Sequence, residues 1–115
     1  MIEAFILQYL SGSMGKPVFF GRPVSMPPEY YAISKTDSET RNMIRTDTIA
    51  VYSYAATEYA AANMNQQVIR QMLAMAEKPE ICSVKLFTDF SSPDTEVKSP
   101  RYQAIFYVTY YESEV

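Results

Sequence analysis

Residues 41–75 read RNMIRTDTIAVYSYAATEYAAANMNQQVIRQMLAM, and this stretch decides the fold. Its first part, 41–54, is rich in Thr, Ile, Val and Tyr, which suit a pleated, half-buried strand. Its continuation, 55–76, holds no proline or glycine and reads as a long helix. A strand feeding almost directly into a helix makes this an α+β chain. Ser53 and Thr57 are the candidate helix caps. Tyr59, Ala62, Ile69, Met72, Leu73 and Ala76 lie near one stripe, expected to face the core, and Asn63 and Asn65 interrupt it, so a kink or break is expected there. Lys78-Pro79 stops the helix, because a residue before proline avoids helical geometry.

On the N-terminal side, Ile2, Phe5, Ile6 and Tyr9 recur at helical spacing, predicting a helix over 2–10 with Gly12 as a left-handed cap. Residues 17–21 form a short strand whose Pro17 and Gly21 suit an edge. Residues 22–28 carry three prolines and read as a loop or polyproline-like connection. Residues 30–36 are a strand, with Tyr31, Ile33 and Lys35 on one face and Tyr30, Ala32 and Ser34 on the other. The polar run 37–40 is expected to turn it into the strand at 41–54, making an antiparallel hairpin.

On the C-terminal side, residues 81–90 read as a strand with Cys82, Val84 and Leu86 on one side and Ser83, Lys85 and Phe87 on the other. Residues 91–100 are a polar hairpin loop. In the last strand, 101–112, Tyr102, Ala104, Phe106, Val108 and Tyr110 form an apolar face; Gln103, Ile105, Tyr107, Thr109 and Tyr111 form an amphipathic one. The expectation is one α+β domain spanning 1–115: two layers, with a mostly antiparallel four- or five-stranded sheet and two main helices on one face.

The composition narrows the function. The chain of 115 residues has no histidine, no tryptophan and one cysteine, so the commonest general base and metal ligand is missing. Cys82 lacks a partner for a bridge and a histidine to activate it, and its strand position predicts burial. The pairs Asp37/Glu39 and Asp94/Glu96 lie in polar loops, where solvated charge is the ordinary state. Asp89, Asp94 and Glu96 lack the spacing and glycine of a calcium loop, and residues 12–16 follow a helix and lack the Gly-Lys-Ser/Thr ending of a phosphate loop. No catalytic residue, cofactor or metal site is expected. The start of the chain has no basic region, and no segment approaches twenty apolar residues, so neither a signal peptide nor a membrane span is expected. A net charge of −3 with scattered basic residues argues against sequence-specific nucleic-acid binding. Stacking of RNA bases on Tyr107 and Tyr111, in the manner of an RRM, is disfavoured by that charge and by missing RNP strings.

Contact is the remaining chemistry. Ten tyrosines and seven methionines suit interfaces as well as cores. The amphipathic sheet face should bring Ile105, Tyr107 and Tyr111 beside Ile81, Lys85 and Phe87, as a packing surface for another subunit. The loop bearing Asp94 and Glu96 is a second candidate contact.

The run from Glu39 to Ala55, the following Tyr59-Ala60-Ala61, Pro27-Pro28 ahead of Tyr30 to Ile33, and the closing run from Arg101 to Tyr111 resemble small tail components of tailed bacteriophages and prophages. The pattern covers about 27–111 and is similar to tail-terminator, or tail-completion, proteins. That resemblance implies a non-enzymatic virion protein, made in the bacterial host cytoplasm. It implies a ring of self-associated copies, hexameric on the tail and monomeric when free, that caps the head-proximal end of the tail tube. Its partners are then the tail-tube protein and the head connector. The alternative role is a head-completion or connector (stopper) protein at the same joint.

Overall fold

The computed structural model describes all residues except Arg22, Val24 and Met26. The connection expected over 22–28 includes those three and lies outside the described residues. Helix α1 (Ile2–Ser13) leads to strand β1 (Val18–Phe20), β2 (Tyr30–Arg41) and β3 (Ile44–Tyr54). Helix α2 (Glu58–Ala74) and a 3-10 turn (Met75–Glu77) follow, then β4 (Ile81–Ser91), β5 (Arg101–Tyr111) and a last turn (Glu112–Glu114). The five strands lie in the order β1-β2-β3-β5-β4. All neighbours are antiparallel except β1 with β2, so the sheet is mixed but mostly antiparallel.

Both helices contribute to one core on one face of the sheet. Ile2, Ile6 and Leu10 of α1 and Ala61, Val68 and Met72 of α2 are buried with Tyr31, Ile33, Ile49, Val51, Phe106 and Val108. The alternation read in β2 holds, since Tyr31 and Ile33 enter this core while Tyr30 and Ala32 join a smaller cluster on the opposite face. Tyr31 also ties sheet to helix, its hydroxyl donating to the Met64 carbonyl at 3.2 Å.

Thr57 is the cap of α2; its hydroxyl accepts from the Ala60 amide at 3.1 Å, and this fixes the phase of the helix. The buried residues of the helix are Ala61, Met64, Asn65, Val68 and Met72; of the expected stripe, Met72 is buried and Ile69 and Ala76 pack against the core, whereas Tyr59 and Leu73 are exposed. Tyr59 is 84% exposed. Met64 fills a core position outside the expected stripe, as a flexible thioether can. The helix runs through Asn63 and Asn65 without a break. Asn65 is buried and donates through Nδ2 to Asp89 Oδ2 at 2.9 Å.

Two turns and one bulge also differ from expectation. Gly12 lies inside α1, and Gly15 takes the left-handed conformation, at φ +68°. The polar run 37–40 remains strand, and the hairpin turns at Asn42 (φ 53°) and Met43 (φ 65°). Two successive left-handed residues between paired Arg41 and Ile44 make a two-residue type I′ turn, which matches the twist of the strands. Cys82 sits in a β4 bulge and is exposed, not buried.

Met43 pays a steric penalty that glycine would not, because its Cβ crowds the backbone at positive φ. It is 70% exposed, so little packing is at risk. Met43→Gly is expected to stabilise the fold by about 0.5–1 kcal/mol, read as a higher urea midpoint at unchanged slope. A lower midpoint would mean the methionine side chain supports the hairpin.

Candidate functional site

The face of the sheet away from the helices divides into two regions. At one end, the segment between β4 and β5 folds back over the sheet. Val97 and Tyr52 pack against the cluster of Tyr30, Ala32 and Tyr54, and Phe19 meets Tyr30 edge-on at 5.8 Å. Tyr30 and Tyr54 stack at 4.4 Å. Asp94 and Ser99 exchange backbone hydrogen bonds of 3.0 and 3.1 Å, which closes the segment into a small hairpin.

Arg101 clamps that hairpin. Its Nε donates to the Ser92 carbonyl at 2.6 Å and its Nη1 to the Tyr54 hydroxyl at 3.2 Å, while the guanidinium lies 4.7 Å from the Tyr52 ring centroid. The Tyr54 hydroxyl in turn donates to Asp94 Oδ2 at 3.0 Å. Asp94 is therefore buried and holds the loop from beneath; only Glu96 of the expected contact pair stands exposed, its amide donating to Asp94 Oδ1 at 3.0 Å. The loop is built, not a free polar tip. A groove of about 430 Å³ between Glu58, Pro93, Thr95, Lys98 and Pro100 separates it from the start of α2.

Burial raises the Tyr54 pKa, with Arg101 opposing and Asp94 adding to the shift. Tyr31 is pushed up to about 12 by burial and then by Glu29, and Tyr110 moves the same way by burial and then the Asp47 carboxylate. A raised tyrosine pKa means that the fold favours the protonated phenol. This stabilisation is whole below pH 10 and is lost as pH rises toward 12. The melting temperature should fall across that window, and Tyr31→Phe should make the fall shallower. An equally steep fall in the variant would remove Tyr31 from the account.

The other end of this face is open. Tyr107 lies opposite Lys85 in the β4–β5 ladder, and its ring is 5.3 Å from that of Phe87. Phe87 is 60% exposed and Tyr107 is 36% exposed. Ile105, half-buried, lies on the same face between Ala50 and Thr88. Tyr111 lies opposite Ile44, and both are exposed. The structure thus gathers Ile105, Tyr107, Tyr111, Lys85 and Phe87 on one face. Ile81 departs from the expected set: the bulge at Cys82 leaves it opposite Tyr110, in the core. Phe90 and Ile44 extend the exposed apolar surface and were not singled out from the sequence. Their alternation was visible, but the bulge between Leu86 and Thr88, which sets the face of Phe90, has no sequence signal.

Among the described residues, no group of three or more acidic or cysteine side chains is placed to hold a metal ion, and no helix is long and apolar enough to cross a membrane. No protein-family model matches the sequence, and no curated protein matches it. Solved structures do. A chain from a structure described as the virion of a native gene transfer agent (GTA) particle aligns with a TM-score of 0.66, over 91% of this chain and 84% of its own. The two share a fold. At 10% sequence identity the likeness reaches the arrangement of helices and strands and no further.

Proposed function

We propose that this chain is a non-enzymatic structural protein of a tailed-phage or phage-like virion, and that it acts as a tail terminator. In this reading copies close into a ring, taken as hexameric, at the head-proximal end of the tail tube. The ring stops tube growth and offers its other side to the head connector. The protein is monomeric when free and assembles on its target. The observation that carries the virion assignment is the fold shared along nearly the whole chain with a chain of a GTA virion. The open sheet face supports self-association, because Phe87, Phe90, Tyr107 and Tyr111 leave aromatic surface beside Lys85 and Ile105 without cover from the protein's own helices. Glu96 stands at the neighbouring loop as a further contact, with Asp94 shaping that loop from within.

Electron microscopy of the purified protein with and without tail tubes encoded beside its gene tests the reading. Rings on one end of the tubes are expected. Binding to the portal side instead would make it a head-completion protein. The double variant Ile105→Ser/Tyr107→Ala should stay folded by circular dichroism yet fail to form rings, since it strips the centre of the open face. Rings of normal yield from that variant would place the subunit contact elsewhere.

A further inference from the structure

The sheet has two open edges. On one side β1 covers only Tyr31, Ala32 and Ile33 of β2, and among the described residues no strand lies beyond residues 34–41. On the other side β4 is the last strand, and among the described residues no strand pairs with its outer edge. We propose that neighbouring copies join through these edges, β4 of one protomer lying antiparallel along 34–41 of β2 in the next. The proposal rests on the ring-forming reading and adds a contact between copies at the two edges that flank the open face.

Strand direction comes first. From β2 to β3, β3 to β5 and β5 to β4 the chain reverses three times, so β4 runs opposite to β2. A rotation axis along the strands leaves those directions unchanged. It therefore brings β4 of one copy antiparallel to β2 of the next and keeps the helix-free face on the same side of every subunit. Such a contact is heterologous, and it forms a closed ring when the rotation divides a full turn. Residues 34–41 extend about 26 Å at the usual rise per residue, enough for several ladder bonds.

Charge is the second observation. Asp37 pairs across the ladder with Thr48, Thr48 with Tyr107, and Tyr107 with Lys85. Asp37 and Lys85 thus end the same row, at opposite edges and on the same face. Glu39, two residues further along β2, shares that face through its partner Thr46. None of the three takes part in an ion pair among the described residues. Joining the edges in register sets Lys85 of one copy against Asp37 of the next, and a stagger of two residues sets it against Glu39.

The bulges set limits on the partner. β4 is irregular at Cys82 and Phe87, and β2 at Thr36. Irregular edges resist indiscriminate pairing. The regular stretches that remain, 83–86 and 37–41, contain Lys85 and the two acids.

Charge reversal tests the proposal. Lys85→Glu and the pair Asp37→Lys/Glu39→Lys, each shown to be folded by circular dichroism, should each reduce ring yield on tail tubes by about tenfold, since either removes the opposite charges in both registers. The combined variant Lys85→Glu/Asp37→Lys/Glu39→Lys should recover it, because every junction then regains opposite charges. Amide hydrogen exchange of the wild type should slow at 34–41 and 81–91 on assembly. Rings formed as well by Lys85→Glu and by Asp37→Lys/Glu39→Lys as by the wild type, or with neither edge protected, would overturn the edge contact and leave the ring standing. A wild type that never forms rings would overturn both.

Discussion

Phe106→Ala is expected to destabilise the fold by about 3–5 kcal/mol, measured by urea unfolding. Phe106 is fully buried near the middle of β5, between Ile49 on β3 and Leu86 on β4, and belongs to the core beneath the helices. The substitution removes the ring's transfer energy and leaves a cavity that a sheet with both neighbours in place closes poorly. Domains of this kind are stable by about 5–15 kcal/mol, so the loss takes a large share. The adjacent residue is the control. Tyr107 points to the opposite face and is exposed there, so Tyr107→Ala should change stability by no more than about 1 kcal/mol. Similar losses at the two positions would mean that the open face is packed in the free protein, and with it would go the basis for a contact surface.

That contrast between neighbours was legible in the sequence because β5 alternates cleanly from Tyr102 to Tyr110. The same holds for Tyr31 and Ile33, and for the continuous passage from β3 into α2. Legibility failed where tertiary context outweighed local pattern. Residues 37–40 look like a turn because they are all polar, yet they are strand: this part of the hairpin is exposed, so nothing demands alternation. The real turn at Asn42-Met43 carries only half its signal, an asparagine without the usual glycine. The buried side of α2 is shifted from the apolar stripe toward Ala61, Met64 and Val68, small or flexible residues whose burial the stripe does not announce. For the candidate site, the aromatic row on β5 could be read directly. The clamp could not: Tyr54 lies 40 residues before Asp94 and 47 before Arg101, and no local pattern announces that they meet.

Asp47→Ala should be as severe, at about 3–5 kcal/mol, for an electrostatic reason. Asp47 is fully buried on the helix side of β3. Its Oδ2 accepts from the Tyr110 hydroxyl at 2.6 Å, and its Oδ1 accepts from the Ser38 hydroxyl and from Arg45 Nε at 3.3 Å. The network therefore ties β2, β3 and β5 together toward the hairpin end of the sheet. Alanine leaves a buried phenol without its acceptor and a guanidinium without its nearer carboxylate, with only Glu112, 3.6 Å away, still paired to Arg45. Tyr110→Phe should cost less, about 1–2 kcal/mol, because the carboxylate keeps Ser38 and Arg45. The double variant should fall short of the sum, since each change removes the same hydrogen bond. If Asp47→Ala costs under about 1 kcal/mol, the carboxylate is already well hydrated and the hairpin stands without it. If the expected loss is found, amide exchange should quicken first along 37–41, because Ser38 is the strand's side-chain link to Asp47. The edge acids Asp37 and Glu39 would then lose their rigid support, and ring assembly should weaken in the same variant even where the rest of the fold survives.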